Sequence, residues 1–258
     1  MRDRRFIEAL GIRPGEMVSL VGGGGKTTLL FRLGKELADR GSKVVTTTTT
    51  RILEPDPSQA PYLWVCSKKE EIDASLDALL SRYRQVTLVS ERLPEGKLKG
   101  LSPNVLEGLA VSRPEVTILI EADGSRQKPL KFPNATEPVV PKMTSLVVAV
   151  AGIDALGREL SGENVFRAEI AARLLNLSLG EIVTSERMAA LLTHPQGILK
   201  ETPPGARVVL FINKMDLSAV TKDGEDLIQS ILTHSSSPVC RIVLGSAVAG
   251  VIERHVFV

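Results

Sequence analysis

The sequence predicts a three-layer α/β fold, a mostly parallel sheet covered by helices on both faces, and three observations predict it. Short runs rich in Val, Ile and Leu recur along the chain, amphipathic stretches stand between several of them, and a glycine-rich turn joins the first run to the first helical pattern. Runs without polar alternation are the mark of strands buried on both faces.

The runs are Met17–Val21, Lys43–Thr47, Tyr62–Val65, Val86–Val89, Val116–Ile120, Leu146–Ala151, Val208–Ile212 and Ile242–Leu244. After Gly25, residues Leu29, Leu30, Leu33 and Leu37 fall at helical spacing, and Gly41 stands where a C-terminal glycine belongs. Further helices are expected at Lys68–Tyr83, at Ser102–Val111 with Ser102 as cap and Pro103 in the first turn, at Asn164–Leu177, at Ser185–Leu192 and near Leu217–His234. The stretch Asp123–Lys142 holds Pro129, Pro133, Pro138 and Pro141 and has no periodicity, which predicts a functional loop. No linker, repeat or low-complexity tract divides the chain, so residues 1–258 are expected to form a single domain.

Composition narrows the function. Lys and Arg total 32 against 30 for Asp and Glu, a net charge of +2 that lacks the basic excess of nucleic-acid binders. Aromatics make up 3%, too few for base-stacking platforms. The two cysteines, Cys66 and Cys240, show no metal-binding or disulfide spacing and read as buried or idle thiols in a reducing compartment. The N-terminal residues lack an apolar run of signal-peptide length, and the longest apolar stretch, Leu146–Ile153, falls well short of the roughly 20 residues a bilayer requires. A cytoplasmic protein with neither a nucleic-acid nor a membrane partner is expected.

The most informative feature is Gly22-Gly23-Gly24-Gly25-Lys26-Thr27-Thr28, placed between the first strand and the first helix. Glycines let successive backbone N–H groups turn toward phosphate oxygens, and the helix N-terminus adds partial positive charge. Lys26 would reach the terminal phosphates and the Thr27 hydroxyl would ligate a bridging Mg2+, with Thr28 a second candidate. A P-loop NTPase-like fold and a nucleoside triphosphate ligand follow. The full pattern asks for glycine six residues before the lysine, where Leu20 stands, so the loop is a shortened variant. Its length resembles that of Mur-type ATP-dependent amide ligases, which keeps an ATP-dependent ligase or kinase acting on a small anion open beside a nucleotide-hydrolysing factor or a non-hydrolysing scaffold.

The strand at Val116 ends in Glu121-Ala122-Asp123-Gly124, and alternation puts Glu121 and Asp123 on one face. Hard oxygen ligands of this kind suit Mg2+, with Asp123 the first choice and Glu121 a second ligand or the group that orients an attacking water. Asn213-Lys214-Met215-Asp216, after a strand, resembles the N-K-x-D motif in which the aspartate reads guanine. Ser246-Ala247 resembles the loop that offers a backbone N–H to the guanine carbonyl. GTP is thereby favoured over ATP. The threonine run Thr46–Thr50 and Arg51 close the second strand, where hydroxyls can meet phosphate or metal and Arg51 can stabilise developing phosphoryl charge, or where β-branched residues simply fill a strand. Arg126, Lys128 and Lys131 follow Asp123 and can recognise a second anionic ligand, cover the nucleotide or form a solvated face.

Together, V-G-G-G-G-K-T-T-L, the threonine run, the segment from Glu121 to Lys131 and E-P-V-V-P from Glu137 to Pro141 resemble the YqeC family of selenium-dependent hydroxylase accessory proteins. The resemblance continues through Ala151–Gly157, Glu163–Glu169 and Asn213–Asp216. Two departures are visible: Thr136 and Phe166 stand where family members often carry histidine. The resemblance implies a nucleotide-dependent factor for molybdenum hydroxylases that need selenium, with the hydroxylase or its cofactor as partner.

Overall fold

The computed structural model describes residues 6–217, 221–233 and 238–258. The chain runs through α1 (Phe6–Leu10), β1 (Met17–Gly22), α2 (Lys26–Asp39), β2 (Val44–Thr48), β3 (Arg51–Leu53), β4 (Leu63–Val65), α3 (Lys69–Tyr83), β5 (Gln85–Val89), β6 (Glu91–Leu93), β7 (Lys97–Lys99), α4 (Pro103–Ser112) and β8 (Thr117–Glu121). It continues through β9 (Leu130–Lys131), β10 (Leu146–Gly152), β11 (Val165–Phe166), α5 (Ala168–Leu175), α6 (Ser185–Thr193), β12 (Arg207–Asn213), α7 (Thr221–Leu232), β13 (Val239–Ser246) and β14 (Val251–Phe257). Single 3-10 turns lie at Ile153–Ala155 and Met215–Leu217.

Nine strands form the main sheet in the order β14-β13-β12-β10-β1-β8-β2-β5-β4, and every neighbouring pair is parallel except the edge pair β13–β14. The physical cause is the apolar runs: in β1 Val18 and Leu20 pack with α1 and α2, while Met17 and Val21 pack with α3 to α7 on the other face. The same division recurs in β10, where Leu146, Val148 and Val150 face one cluster and Val147, Ala149 and Ala151 the other. Parallel pairing then follows, because each crossover helix must lie on one face of the sheet.

Several expectations need adjustment. The helix expected from Asn164 begins only at Ala168, because Val165 and Phe166 pair with Leu130 and Lys131 as a two-stranded parallel ladder. The aperiodic segment 123–142 thus contains a strand, and Phe132 just after it is fully buried. The threonine strand runs one residue further than expected, to Thr48. Thr46, Thr47 and Thr48 are buried and spend their hydroxyls on Thr87, the Leu88 carbonyl and the Glu121 carbonyl, so these three brace the sheet. Cys66 is buried and Cys240 is exposed, and both are free thiols. Alternation was too weak to announce α1, the antiparallel β14, or the small sheet β3-β7-β6. The helix expected near Leu217–His234 is α7, and His234 lies outside the described residues.

Candidate functional site

The carboxyl ends of β1, β8, β10, β12 and β13 converge on the turn from Gly22 to Lys26. Gly22, Gly24 and Gly25 have φ of 97°, 71° and 115°, a region that side chains other than glycine rarely occupy. Space forbids a side chain as firmly as φ does: a Cβ on Gly24 would lie 2.1 Å from the Gly152 nitrogen, and one on Gly25 would lie 2.5 Å from Asn213 Nδ2. The turn is held from three sides. Gly22 N–H donates to Asp123 at 3.1 Å, Gly23 N–H to the Val150 carbonyl at 2.9 Å and Gly24 N–H to the Lys128 carbonyl at 2.9 Å. The first turn of α2 then leaves the N–H groups of Lys26, Thr27 and Thr28 without intrahelical acceptors, as every helix start does.

Lys26 is 2% exposed. Its ammonium donates to the Gly22 carbonyl at 2.6 Å and stands 3.2 Å from Asp123 and 3.8 Å from Glu121. Thr27 Oγ1 donates to Glu121 Oε2 at 2.7 Å. The two acids and the lysine-threonine pair therefore meet in one buried cluster. Burial pushes the Glu121 carboxyl above its ordinary value, and Lys26 and the Thr27 hydroxyl offset only part of that.

Lys131, one of the three loop cations singled out in the sequence, is no part of a solvated face and completes the cluster. It is 3% exposed and places its ammonium 3.0 Å from Asp123, 2.7 Å from the Gly124 carbonyl and 2.5 Å from Glu137. Arg167 donates to the same Glu137 at 2.7 Å. Burial would raise the Glu137 carboxyl, but the bonds from Arg167 and Lys131 outweigh it and hold the group below its ordinary value. The apolar-cationic alternation Leu130-Lys131-Phe132 was the available signal, since alternation in a short strand sends neighbouring side chains to opposite faces.

On the opposite side, Asn213 Nδ2 donates to the Gly24 carbonyl at 2.7 Å, while its Oδ1 accepts from Ala247 N–H at 2.8 Å. One buried side chain thus ties the glycine turn to the Ser246-Ala247 loop. Arg32 of α2 grips the same loop through the carbonyls of Ala247 and Val248 and lies 5.5 Å from the Phe6 ring centroid. Ser246 is buried and its hydroxyl accepts from Ala249 N–H at 3.0 Å. Lys214, with φ of 66°, pairs with Asp154 Oδ2 at 2.8 Å, and Asp154 Oδ1 is buried without a partner in the structure. Asp216 is exposed in the 3-10 turn after β12, close to the undescribed residues 218–220. Thr28 lines a groove of about 770 Å³ along α2 together with Arg32 and Ala247.

Arg51 is not among the groups that touch Lys26. It stands exposed in β3, on the wall of a separate cleft of about 640 Å³ that Gly124 and Glu137 also line. Thr49 donates its hydroxyl to the Val139 carbonyl at 2.7 Å. Among the described residues no three His, Cys, Asp or Glu side chains gather as a metal cage, and no helix is long and apolar enough to cross a membrane. Thr27, Glu121 and Asp123 offer hard oxygens of the kind Mg2+ selects.

A glycine turn between a buried parallel strand and a helix, with acids at the end of the adjacent strand, defines a P-loop-type α/β protein. Residues 18–169 match the profile of the YqeC protein family. The YqeC protein of Escherichia coli (strain K12) is 37% identical over 219 residues, covering 84% of this chain and 83% of that one. The chain belongs to the YqeC family. Among solved structures, chloroplast FtsY from Physcomitrella patens is similar over 89% of this chain and 58% of its own, at 15% identity and a TM-score of 0.39. The signal recognition particle 54 kDa protein from Aeropyrum pernix K1, solved with GDP, is similar over 97% of this chain and 46% of its own, at 16% identity and a TM-score of 0.41. This chain spans about half the length of those two.

Proposed function

We propose that the protein binds a nucleoside triphosphate with Mg2+ and hydrolyses it, with GTP preferred to ATP. The observation that carries the reading is the buried cluster in which Lys26 and Thr27, at the glycine turn, meet Glu121 and Asp123. With nucleotide bound, the Lys26 ammonium turns from the Gly22 carbonyl to the terminal phosphates, and the N–H groups at the start of α2 hold the phosphate oxygens. Thr27 and Asp123 hold the metal, directly or through water, and Glu121 orients the attacking water. Bound Mg2+ neutralises charge on the phosphates.

Guanine preference is supported by Asn213, whose two hydrogen bonds fix the Ser246-Ala247 loop against the glycine turn, and by Asp216, which stands exposed just after β12. Lys214, held by Asp154 at 2.8 Å, lies along the base. Titration calorimetry with GTP and ATP in Mg2+ tests the reading. Wild type binds, Lys26→Ala weakens binding by about a hundredfold or more, and Asp216→Ala weakens GTP alone. Absence of binding of both nucleotides to wild type sinks the reading, and equal loss of both in Asp216→Ala makes that residue structural.

The family resemblance supplies the purpose, an accessory role in the cytoplasm in maturing selenium-dependent molybdenum hydroxylases, with the hydroxylase or its cofactor as partner. A strain lacking the protein then loses that hydroxylase activity, and wild type restores it while Lys26→Ala does not.

A further inference from the structure

We propose that the cleft between β3, the start of α4 and Phe166 binds a small organic anion, a phosphate monoester or a carboxylate, as the second ligand of the protein. The cleft has about 640 Å³, the size of sites that enclose metabolite-sized molecules. Its apolar wall comes from Leu101, Pro103 and the Phe166 ring. Its charge comes from Arg51, Lys99 and Arg126, while its single acid, Glu137, is already bonded to Lys131 and Arg167. Lys99 has Glu91 at 3.4 Å, so Arg51 and Arg126 are the cations best placed to hold an incoming anion.

The backbone around Phe166 is built at some cost. Arg126, Gln127 and Arg167 have φ of 49°, 61° and 64°, a left-handed region that costs a non-glycine residue energy and that clusters at binding sites. Both arginines converge on the same ring, with guanidinium carbons 5.3 Å and 4.4 Å from its centroid. A ring collared by cations beside one neutralised acid leaves an excess of positive charge facing the cleft.

The cleft also communicates with the phosphate turn through a short chain of contacts. Gly124 lines it, the Gly124 carbonyl accepts from Lys131, Lys131 pairs with Asp123, and Asp123 meets Lys26 and Gly22 N–H. Binding of the anion stands on the cleft alone; its role as the co-substrate or effector of nucleotide turnover rests on the proposed function.

The test titrates inorganic phosphate, and separately succinate, into protein whose glycine turn is already filled with Mg2+ and a non-hydrolysable GTP analogue. Saturable one-site binding of at least one anion is expected, weakened about tenfold or more by Arg51→Ala and by Arg126→Ala. Both side chains are exposed, and unchanged thermal melting of each variant checks that it folds. Succinate titrated into nucleotide-free wild type should bind with the same dependence on Arg51 and Arg126, so failure of the nucleotide reading is distinguishable from failure of this one. Absence of saturable binding of both anions to wild type, or binding untouched in both arginine variants, overturns the proposal.

Discussion

Gly24 and Glu121 show how single positions fix the chemistry. With φ of 71° and no room for a Cβ, Gly24→Ala is expected to cost at least about 2 kcal/mol in urea unfolding, because the strained backbone and the clash with Gly152 add. Glu121 carries the pH dependence. Its carboxyl is raised by burial, so the folded protein holds that proton more tightly than the unfolded chain does, and this contribution to stability is lost as pH rises from the ordinary carboxylate value through the raised one. Catalysis runs the other way: Glu121 can accept from the attacking water only when ionised, so Mg2+-dependent hydrolysis should slow as pH falls through the raised carboxyl value. Glu121→Gln should hydrolyse nucleotide more slowly and lose that slope; an identical pH profile in the variant would exclude Glu121 from that role. Glu137 has the opposite sign, stabilising above the ordinary carboxylate value and losing that effect as pH falls through its depressed one.

At the scale of elements, α2 does two jobs. Its apolar face, with Leu29, Leu30, Leu33 and Leu37 fully or almost fully buried, anchors the glycine turn to the sheet, and Leu30→Ala should cost about 2–5 kcal/mol by chemical denaturation. Its polar side reaches the Ser246-Ala247 loop through Arg32 while β12 reaches the same loop through Asn213. Removing either hold should loosen recognition of the base more than of the phosphates. Asn213→Ala is therefore expected to weaken GTP by about tenfold and to narrow the preference over ATP, measured by competition between the two nucleotides. Arg32→Ala should act in the same direction, with Arg32→Lys restoring part of the effect if the charge rather than the fork is what matters.

For the whole molecule, ligand binding and stability are linked. A nucleotide at a hundredfold over its dissociation constant adds about 2.7 kcal/mol to the folded state. For a chain of 258 residues that should raise Tm by several degrees, since about 1 kcal/mol shifts such proteins by roughly 2–4 °C. Lys26→Ala should abolish the rise, besides lowering the nucleotide-free Tm by leaving Asp123 and Glu121 short of a buried partner; a rise that survives in the variant would place the nucleotide elsewhere. The net charge of +2 is near neutral, and inside the cluster Lys26 and Lys131 are likewise matched by Glu121, Asp123 and Glu137.

The sequence by itself determined the layers and the turn. Apolar runs buried on both faces, helical spacing and four glycines before Lys26 are local signals, and local signals survive in one dimension. Alternation also put Glu121 and Asp123 on one side of β8, where both meet Lys26. What only the tertiary structure decided are contacts between residues far apart in the chain. Alternation turns Lys131 away from Leu130 but does not say that Asp123 waits on that face, nothing in Arg32 announces the Ala247 carbonyl, and only the fold puts the Thr48 hydroxyl on the Glu121 carbonyl. The cleft was hidden for the same reason, since Arg51, Gly124 and Phe166 share a wall only after β9 has paired with β11 and β3 with β7. Periodicity reports which face a side chain is on; which partner waits on that face depends on strand order and loop closure, and these are set by packing of the whole chain.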